Sequence, residues 1–454
     1  MCIRDRTAGS LADMYGRRLL YVAGLIIFTG SSLVCGFATS TLMLQVSRAV
    51  QGIGGAIMFS VSLALLAGAF RGKDRGVAFG IWGAITGLAV AVGPLLGGIL
   101  TSGISWRWIF FVNGPVGVVA LVITISQVAE ARQANARRPD WPGFLLFSAG
   151  LCSLVYALIE SSVTSFGNST VIVCLVLSAV LLLAFVVVEA AGKHPMFDLR
   201  LFRLPTFSGG AVAAFGMSAS IFALLLYLVL YLQDILGFNA LQTGLRLLVI
   251  SGGIILTSSI AGRLTSKVPV RFLIGPGLLF IGIGLLLDRG LTATSTWSHL
   301  IAGLVIGGAG IGMVNPPLAS TAVGVVTPDR AGMASGINST FRQVGIATGI
   351  ALLGTLFSSA VKTDVSHRLA HTALRAHATM VAGAIESGEL GGVLSRLSPP
   401  ERRLVGYVTK ASFTAGLDRI LLVAAIIALV SAVLTFATIR SKDFAHHGAP
   451  AGGH

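Results

Sequence analysis

The sequence predicts an all-α, polytopic membrane protein, and three observations carry that class. Apolar residues make up 54% of the 454-residue chain, charged residues only 11%, and mean hydropathy is +0.88. A soluble domain carries about 25% charged residues, so too few are present to cover a water-facing surface. The apolar residues gather in runs long enough to cross a bilayer, and Lys and Arg fall unevenly between those runs.

A spanning helix needs about 20 mostly apolar residues. Twelve runs qualify: 20–39, 41–69, 76–100, 107–128, 143–161, 169–190, 206–232, 241–261, 270–290, 298–326, 331–360 and 413–439. The connections on the side of residues 9–18 carry seventeen Lys and Arg, and the short connections opposite carry two, Arg107 and Arg289. The positive-inside bias then puts residues 9–18 and the C-terminus on the cytoplasmic side of an inner or plasma membrane. The net charge of +15 is spread over short clusters between apolar runs rather than one patch, so no nucleic-acid partner is expected. Cys35, Cys152 and Cys174 lie inside apolar runs without metal-ligand spacing and read as small buried hydrophobes. The eight histidines fall in connections and tail, so no metal, cofactor or intramembrane catalytic centre is expected. No G-x-x-x-x-G-K-[ST] occurs either, which argues against a primary ATP-driven pump.

Two connections stand apart. "EARQANARRPDWPG" (129–142) is a polar linker, and 361–412 is a long polar segment expected to lie outside and to hold short amphipathic helices. The tail, 441–454, reads as disordered. A weak internal repeat joins two basic connections: Gly9-Ser10-Leu11 reaches Arg18 nine residues after Gly9, and Gly262-Arg263-Leu264 reaches Arg271 at the same spacing. In the second copy Ser266 stands in the slot of Asp13. Such echoes mark transporters built from structural repeats.

"GSLADMYGRR" (9–18) resembles the G-x-L-a-D-r-x-G-r-r loop signature of the major facilitator superfamily. "LQVSRAVQGIGGA" (44–56) is similar to that family's R-x-x-q-G pattern, and "GPLLGG" (93–98) to its antiporter signature GPxxGG. "WRWIFFVNGP" (106–115), "HPMFDLRLFR" (194–203) and "GMASGINSTFRQVGIATGIALLGT" (332–355) resemble the fourteen-helix drug:proton antiporter branch. The resemblance covers roughly residues 7 to 440. It implies two pseudo-symmetric helical bundles, with about twelve of an expected fourteen transmembrane helices present. Two helices should precede the signature loop, where this chain has the unrelated MCIRDR, so residues 1–6 are expected to be foreign or mistranslated. A natural twelve-helix member is the alternative; it would leave only four helices before the linker. The implied organisation is an incomplete N-terminal bundle (7–128), the linker (129–142), two inserted helices (143–190), a C-terminal bundle (191–360), the extracellular segment (361–412), a last helix (413–440) and the tail.

The resemblance also implies roles. Gly9, Asp13, Gly16, Arg17 and Arg18 would form a conformational latch, Asp13 facing the N-terminus of the helix near Ala331 and Arg17 reaching Asp74. The alternative is a solvated, merely positive-inside loop. Arg48, seven residues into its run, would face the cavity and tune a neighbouring carboxylate, or else snorkel to the surface. Gly93, Pro94, Gly97 and Gly98 would break and thin their helix, with Gly93 and Gly97 on one face of a leak-tight seam. Arg342, eleven residues into its run, would line the pathway or serve the fold. Glu160, Glu189, Asp234, Asp288 and Asp418 all fall near helix ends, so the proton-coupling carboxylate is expected in the absent first helices. The function implied is export of small amphipathic compounds in exchange for protons by a monomer, without a cofactor. The alternatives are a dedicated exporter of an endogenous metabolite and a non-transporting membrane sensor.

Overall fold

The computed structural model describes residues 16–70, 72–130, 141–164, 167–191, 199–265, 267–326, 331–387 and 397–444. The helices run in chain order α1 (Arg17–Gly36), α2 (Thr41–Ala69), α3 (Gly72–Gly103), α4 (Trp108–Phe111), α5 (Asn113–Gln127), α6 (Trp141–Val163) and α7 (Ser169–Ala191). There follow α8 (Pro205–Leu230), α9 (Ala240–Leu264), α10 (Arg271–Leu287), α11 (Ile301–Gly324), α12 (Ala331–Leu369), α13 (Ala378–Ser387) and α14 (Pro399–Thr438). Each of the twelve apolar runs coincides with helix, α4 and α5 sharing one. Ten described stretches are long and apolar enough to cross a membrane, and Arg271–Leu287 is an apolar helix of 17 residues.

The ends of these helices follow from local chemistry. Ser40 accepts the Met43 N–H at 3.2 Å and opens α2. Asn239 and Gln242 form a reciprocal capping box at α9, with bonds of 2.8 and 3.2 Å. Pro205 stands in the first turn of α8, where its missing N–H costs nothing.

Lipid offers no apolar driving force between helices, so close backbone approach and hydrogen bonds hold them together. In the C-terminal bundle α8 packs on α12 and α14, α9 on α11, and α11 on α10. Glycine lies at these crossings. A β-carbon on Gly345 would sit 2.5 Å from the Phe215 carbonyl oxygen, and one on Gly284 would sit 2.6 Å from that of Gly303. The large core, including Tyr231, Ile274, Leu278, Leu353, Phe413 and Leu417, fills this bundle. The α6–α7 pair packs through Phe147 on Phe185 and through hydroxyl bonds from Ser178 to Gly150 O and from Ser153 to Cys174 O, both 2.8 Å. Much of the remaining α7 surface is exposed valine and leucine, as a lipid-facing helix requires. Cys152 lies on such an exposed face of α6; of the three described cysteines only Cys35 is buried.

Two expectations are corrected. Among its described residues the 361–412 segment is largely helix continuous with the bundle: α12 runs on to Leu369 and α14 begins at Pro399, with the short α13 between them. The apolar core continues there through Val361, Val365, Leu369, Val381, Val405 and Val408. Lys362 pairs with Glu386 at 3.7 Å, and Asp364 takes both Arg368 and Ser412 Oγ. A helix of 39 residues measures about 58 Å against a hydrocarbon core of about 30 Å, so α12 projects well past a bilayer. Asp74 stands in the first turn of α3, at the helix end where the sequence puts it. Second, α3 continues unbroken through Pro94 to Gly103; prolines are tolerated inside spanning helices where neighbours re-satisfy the backbone.

That rule is visible at Pro316 and Pro317 inside α11. Pro316 has no N–H for the Gly312 carbonyl, and Ser258 Oγ of α9 supplies the missing donor at 3.2 Å. Ser258→Ala should therefore lower stability by about 1 kcal/mol, while the same change at the neighbouring, exposed Ser259 should leave it unmoved. Thermal unfolding of the two variants in one detergent compares them directly.

Candidate functional site

The first part of the site is the entry of α1. Gly16 caps the helix with φ +119°, a left-handed conformation that glycine tolerates and L side chains avoid. A β-carbon there would also lie 2.5 Å from Glu130 Oε1. Glu130, in the stretch after α5, receives the Arg18 N–H at 3.1 Å on Oε1 and the Leu19 N–H at 3.2 Å on Oε2. Arg18 Nη1 donates to Val128 O at 3.3 Å. The carboxylate thus satisfies free N–H groups at the positive end of the helix dipole. Glu130 did not stand out in the sequence, because a carboxylate more than a hundred residues away carries no local capping signal. Gly9 and Asp13 lie outside the described residues, as does the side chain of Asp74.

The second part joins the far end of α1 to α2 and α4. Arg107 Nη1 donates to the carbonyl of Gly36, the last residue of α1, at 3.2 Å, placing a cation at the negative helix end. Ser32 Oγ donates to Phe110 O and accepts from Asn113 Nδ2, both at 3.0 Å. The polar residues of "WRWIFFVNGP" therefore serve as staples. Arg48 is exposed; its Nη1 donates to Gln51 Oε1 at 2.8 Å and its guanidinium lies 5.7 Å from the Phe110 ring centre. Among the described residues its polar partner is the buried Gln51 amide, which Cys35 also approaches at 4.0 Å.

The third part is the seam between the two halves of the chain. Helix α3 lies along α9. A β-carbon on Gly98 would be 2.5 Å from Ala240 O, so the backbones touch where the Asn239 capping box fixes the start of α9. Gly93 and Gly97 do not make this approach; a β-carbon on either would meet nothing within 4 Å. The reason is angular: Gly98 is one residue on from Gly97, about 100° around the helix, and only that face meets α9. The Pro94 side chain lies outside the described residues.

The fourth part is Arg342 on α12. Its Nη2 donates to Asn315 Oδ1 of α11 at 2.8 Å, directly before Pro316. Asn338 Nδ2, one turn earlier, donates to Leu318 O at 3.4 Å. A half-buried arginine thus meets the proline-interrupted stretch of α11 through a neutral amide. Asn315 was hidden in the sequence, since a single Asn before Pro-Pro reads as a turn signal.

Two outcomes follow. Glu130→Ala should cost about 1 kcal/mol, the loss of one helix cap, measured by thermal unfolding. Gly98→Val should sharply impair folding or transport, whereas Gly97→Val should be tolerated; expression and transport of the pair check this.

Comparison with known proteins agrees with this architecture. A family model described as Major Facilitator Superfamily matches residues 7–350. The multidrug resistance protein Stp of Mycobacterium tuberculosis is 33% identical over 431 residues, covering 93% of this chain and 80% of Stp. The puromycin resistance protein of Streptomyces alboniger is 36% identical over 358 residues, covering 78% and 71%. The tetracenomycin C resistance and export protein of Streptomyces glaucescens is 29% identical over 453 residues, covering 96% and 82%. Among solved structures, the human organic anion transporter MFSD10 aligns with a TM-score of 0.60 at 16% identity, covering 96% of this chain and 80% of that one. An inward-facing bacterial homologue of the human lysosomal transporter Spinster aligns at 0.53 and 16% identity, covering 95% and 84%; both show a shared fold. The chain belongs to the major facilitator superfamily: it is a multi-pass membrane transporter, not an enzyme.

Proposed function

We propose that this transporter exports small amphipathic compounds in exchange for protons, by rocking two helical bundles about a central pathway. It works as a monomer in the plasma membrane, with residues 9–18 and the C-terminus cytoplasmic and no cofactor beyond the proton gradient. The observation that carries the mechanism is the α3–α9 seam, where two backbones meet at Gly98 and Ala240. Such a contact allows pivoting while excluding water. The substrate class is supported by relatives named for multidrug resistance and drug efflux. A second reading, a dedicated exporter of one endogenous compound, is favoured by the relatives named for puromycin and tetracenomycin C.

In this reading Gly9, Asp13, Gly16, Arg17, Arg18 and Asp74 form the latch. The family resemblance implies that the Asp13 carboxylate would act at the N-terminus of α12, and the Glu130 cap fixes the start of α1 that follows the loop. Arg48 and Arg342 line the pathway, and the Arg342–Asn315 pair presents a guanidinium and an amide to neutral or anionic amphiphiles. Gly93, Pro94, Gly97 and Gly98 form the antiporter segment of α3, with Gly98 at its contact.

Dye and drug efflux from reconstituted vesicles tests the function. Transport should accelerate with an inward proton gradient and collapse with a protonophore; gradient-independent binding without movement would favour a sensor. Asp13→Asn should slow efflux by roughly tenfold, the equivalent of ~1.4 kcal/mol lost between a carboxylate and a helix terminus, with the protein still folded. Arg342→Gln should lose neutral and anionic substrates and keep cationic dyes. Equal loss of all substrates with poor membrane insertion would assign that arginine to the fold.

A further inference from the structure

Two carboxylates at one end of the C-terminal bundle meet opposite environments. Asp418 of α14 pairs with Arg289 at 3.4 Å and accepts the Gly290 N–H at 2.6 Å, where Gly290 turns with φ +82°. Asp288, one residue before Arg289 and just past the end of α10, has neither kind of partner among the described residues. It is only 3% exposed. Its carboxylate presses on α11 so closely that a β-carbon on Gly303 would collide with Oδ1. That oxygen is sealed from solvent, and no donor among the described residues reaches it.

The ionisable groups on the elements around Asp288 turn elsewhere or are exposed. Arg289 reaches Asp418 through Nη2, and its Nε is itself buried without a hydrogen-bond partner among the described residues. His299 Nε2 meets the Arg289 carbonyl at 2.7 Å. Tyr231, following α8, directs its hydroxyl to Ser295 O at 3.4 Å. Asp234 and Arg419 are exposed, and α11 carries no ionisable residue at all. A carboxylate buried without a cation or donor is far costlier charged than neutral.

We propose that Asp288 is a proton-binding site, neutral while α10 and α11 are packed at Gly303 and ionising only when the helices part and admit water. Its proton would then be taken up or released with a change in helix packing. No residue need donate to it in the packed state, because the neutral acid tolerates an apolar wall that the anion does not.

Infrared spectroscopy of the full chain in lipid nanodiscs tests this. Wild-type protein at pH 7 should show the carbonyl band of a protonated aspartic acid, shifted by ¹³C-aspartate labelling and bleached at alkaline pH. Asp288→Asn should lack that band. A wild-type spectrum without any such band at pH 7 overturns the proposal and needs no variant; so does a band unchanged in a folded Asp288→Asn protein. Thermal stability gives a second readout. The folded state holds this proton more tightly than the unfolded chain, whose aspartate titrates near 4. Wild-type stability should therefore fall as pH rises above that value and level off once the folded state also gives up the proton. The melting temperature of Asp288→Asn should hold steadier across that window, and equal slopes for the two proteins would count against the site. Neither readout uses a transported compound, so the transport reading can fail without touching this one.

Discussion

In hydrocarbon, a leucine gains little by leaving lipid for another leucine, so helices must find another reason to touch. Here the reason is backbone contact at glycine. Gly345 meets Phe215 O, Gly284 meets Gly303 O, and Gly98 meets Ala240 O, each at a distance that leaves no room for a β-carbon. Removing the side chain brings two helices within dispersion range along a turn or more and keeps water out of the join. Every other feature of the protein is arranged around those joins. Hydroxyls repair backbone gaps beside them, as Ser258 does for Pro316. Charges gather where helices end.

The charged residues show how position sets role. At the entry of α1, a carboxylate occupies the place where a helix leaves N–H groups free, and Gly16 is needed both for its backbone angle and for the space that Glu130 fills. At the other end of the same helix Arg107 neutralises a free carbonyl. The two contacts fasten α1 at both ends to the α4–α5 segment, which makes that group of helices one mechanical piece. The C-terminal bundle is fastened separately, by its own core and by the rigid projection of α12 and α14. Two pieces joined along α3 and α9 are what a rocking transporter requires.

Much of this was legible in the chain. Hydropathy and the Lys/Arg asymmetry placed twelve helices, and the ordered motifs pointed to the family. Other parts were not. GPLLGG marked a segment of close approach but not which glycine makes it, since that depends on the rotation of α3 against a helix some 140 residues later. The Gln51 partner of Arg48, one turn along its own helix, did not stand out in the sequence. The polar 361–412 segment read as a long connection because its charges hide the buried valines that continue the core.

The sequence by itself determined the class, the approximate extent of the apolar helices, and the family. Those follow from the length of apolar runs, from where cations fall and from local motifs, all properties of neighbouring residues. Only the tertiary structure decided which groups meet: Glu130 with the start of α1, Gly98 with Ala240, Arg342 with Asn315, and Asp288 with the Gly303 backbone of α11. Asp288 and Asp418 are the clearest case. Both are aspartates near a helix end, and nothing in either local sequence ranks one above the other. The fold carries Arg289 and the Gly290 N–H to Asp418 and closes α11 over Asp288. Solvent and partners reach a carboxylate through space and not along the chain, so only the packed structure separates an ion pair from a proton carrier.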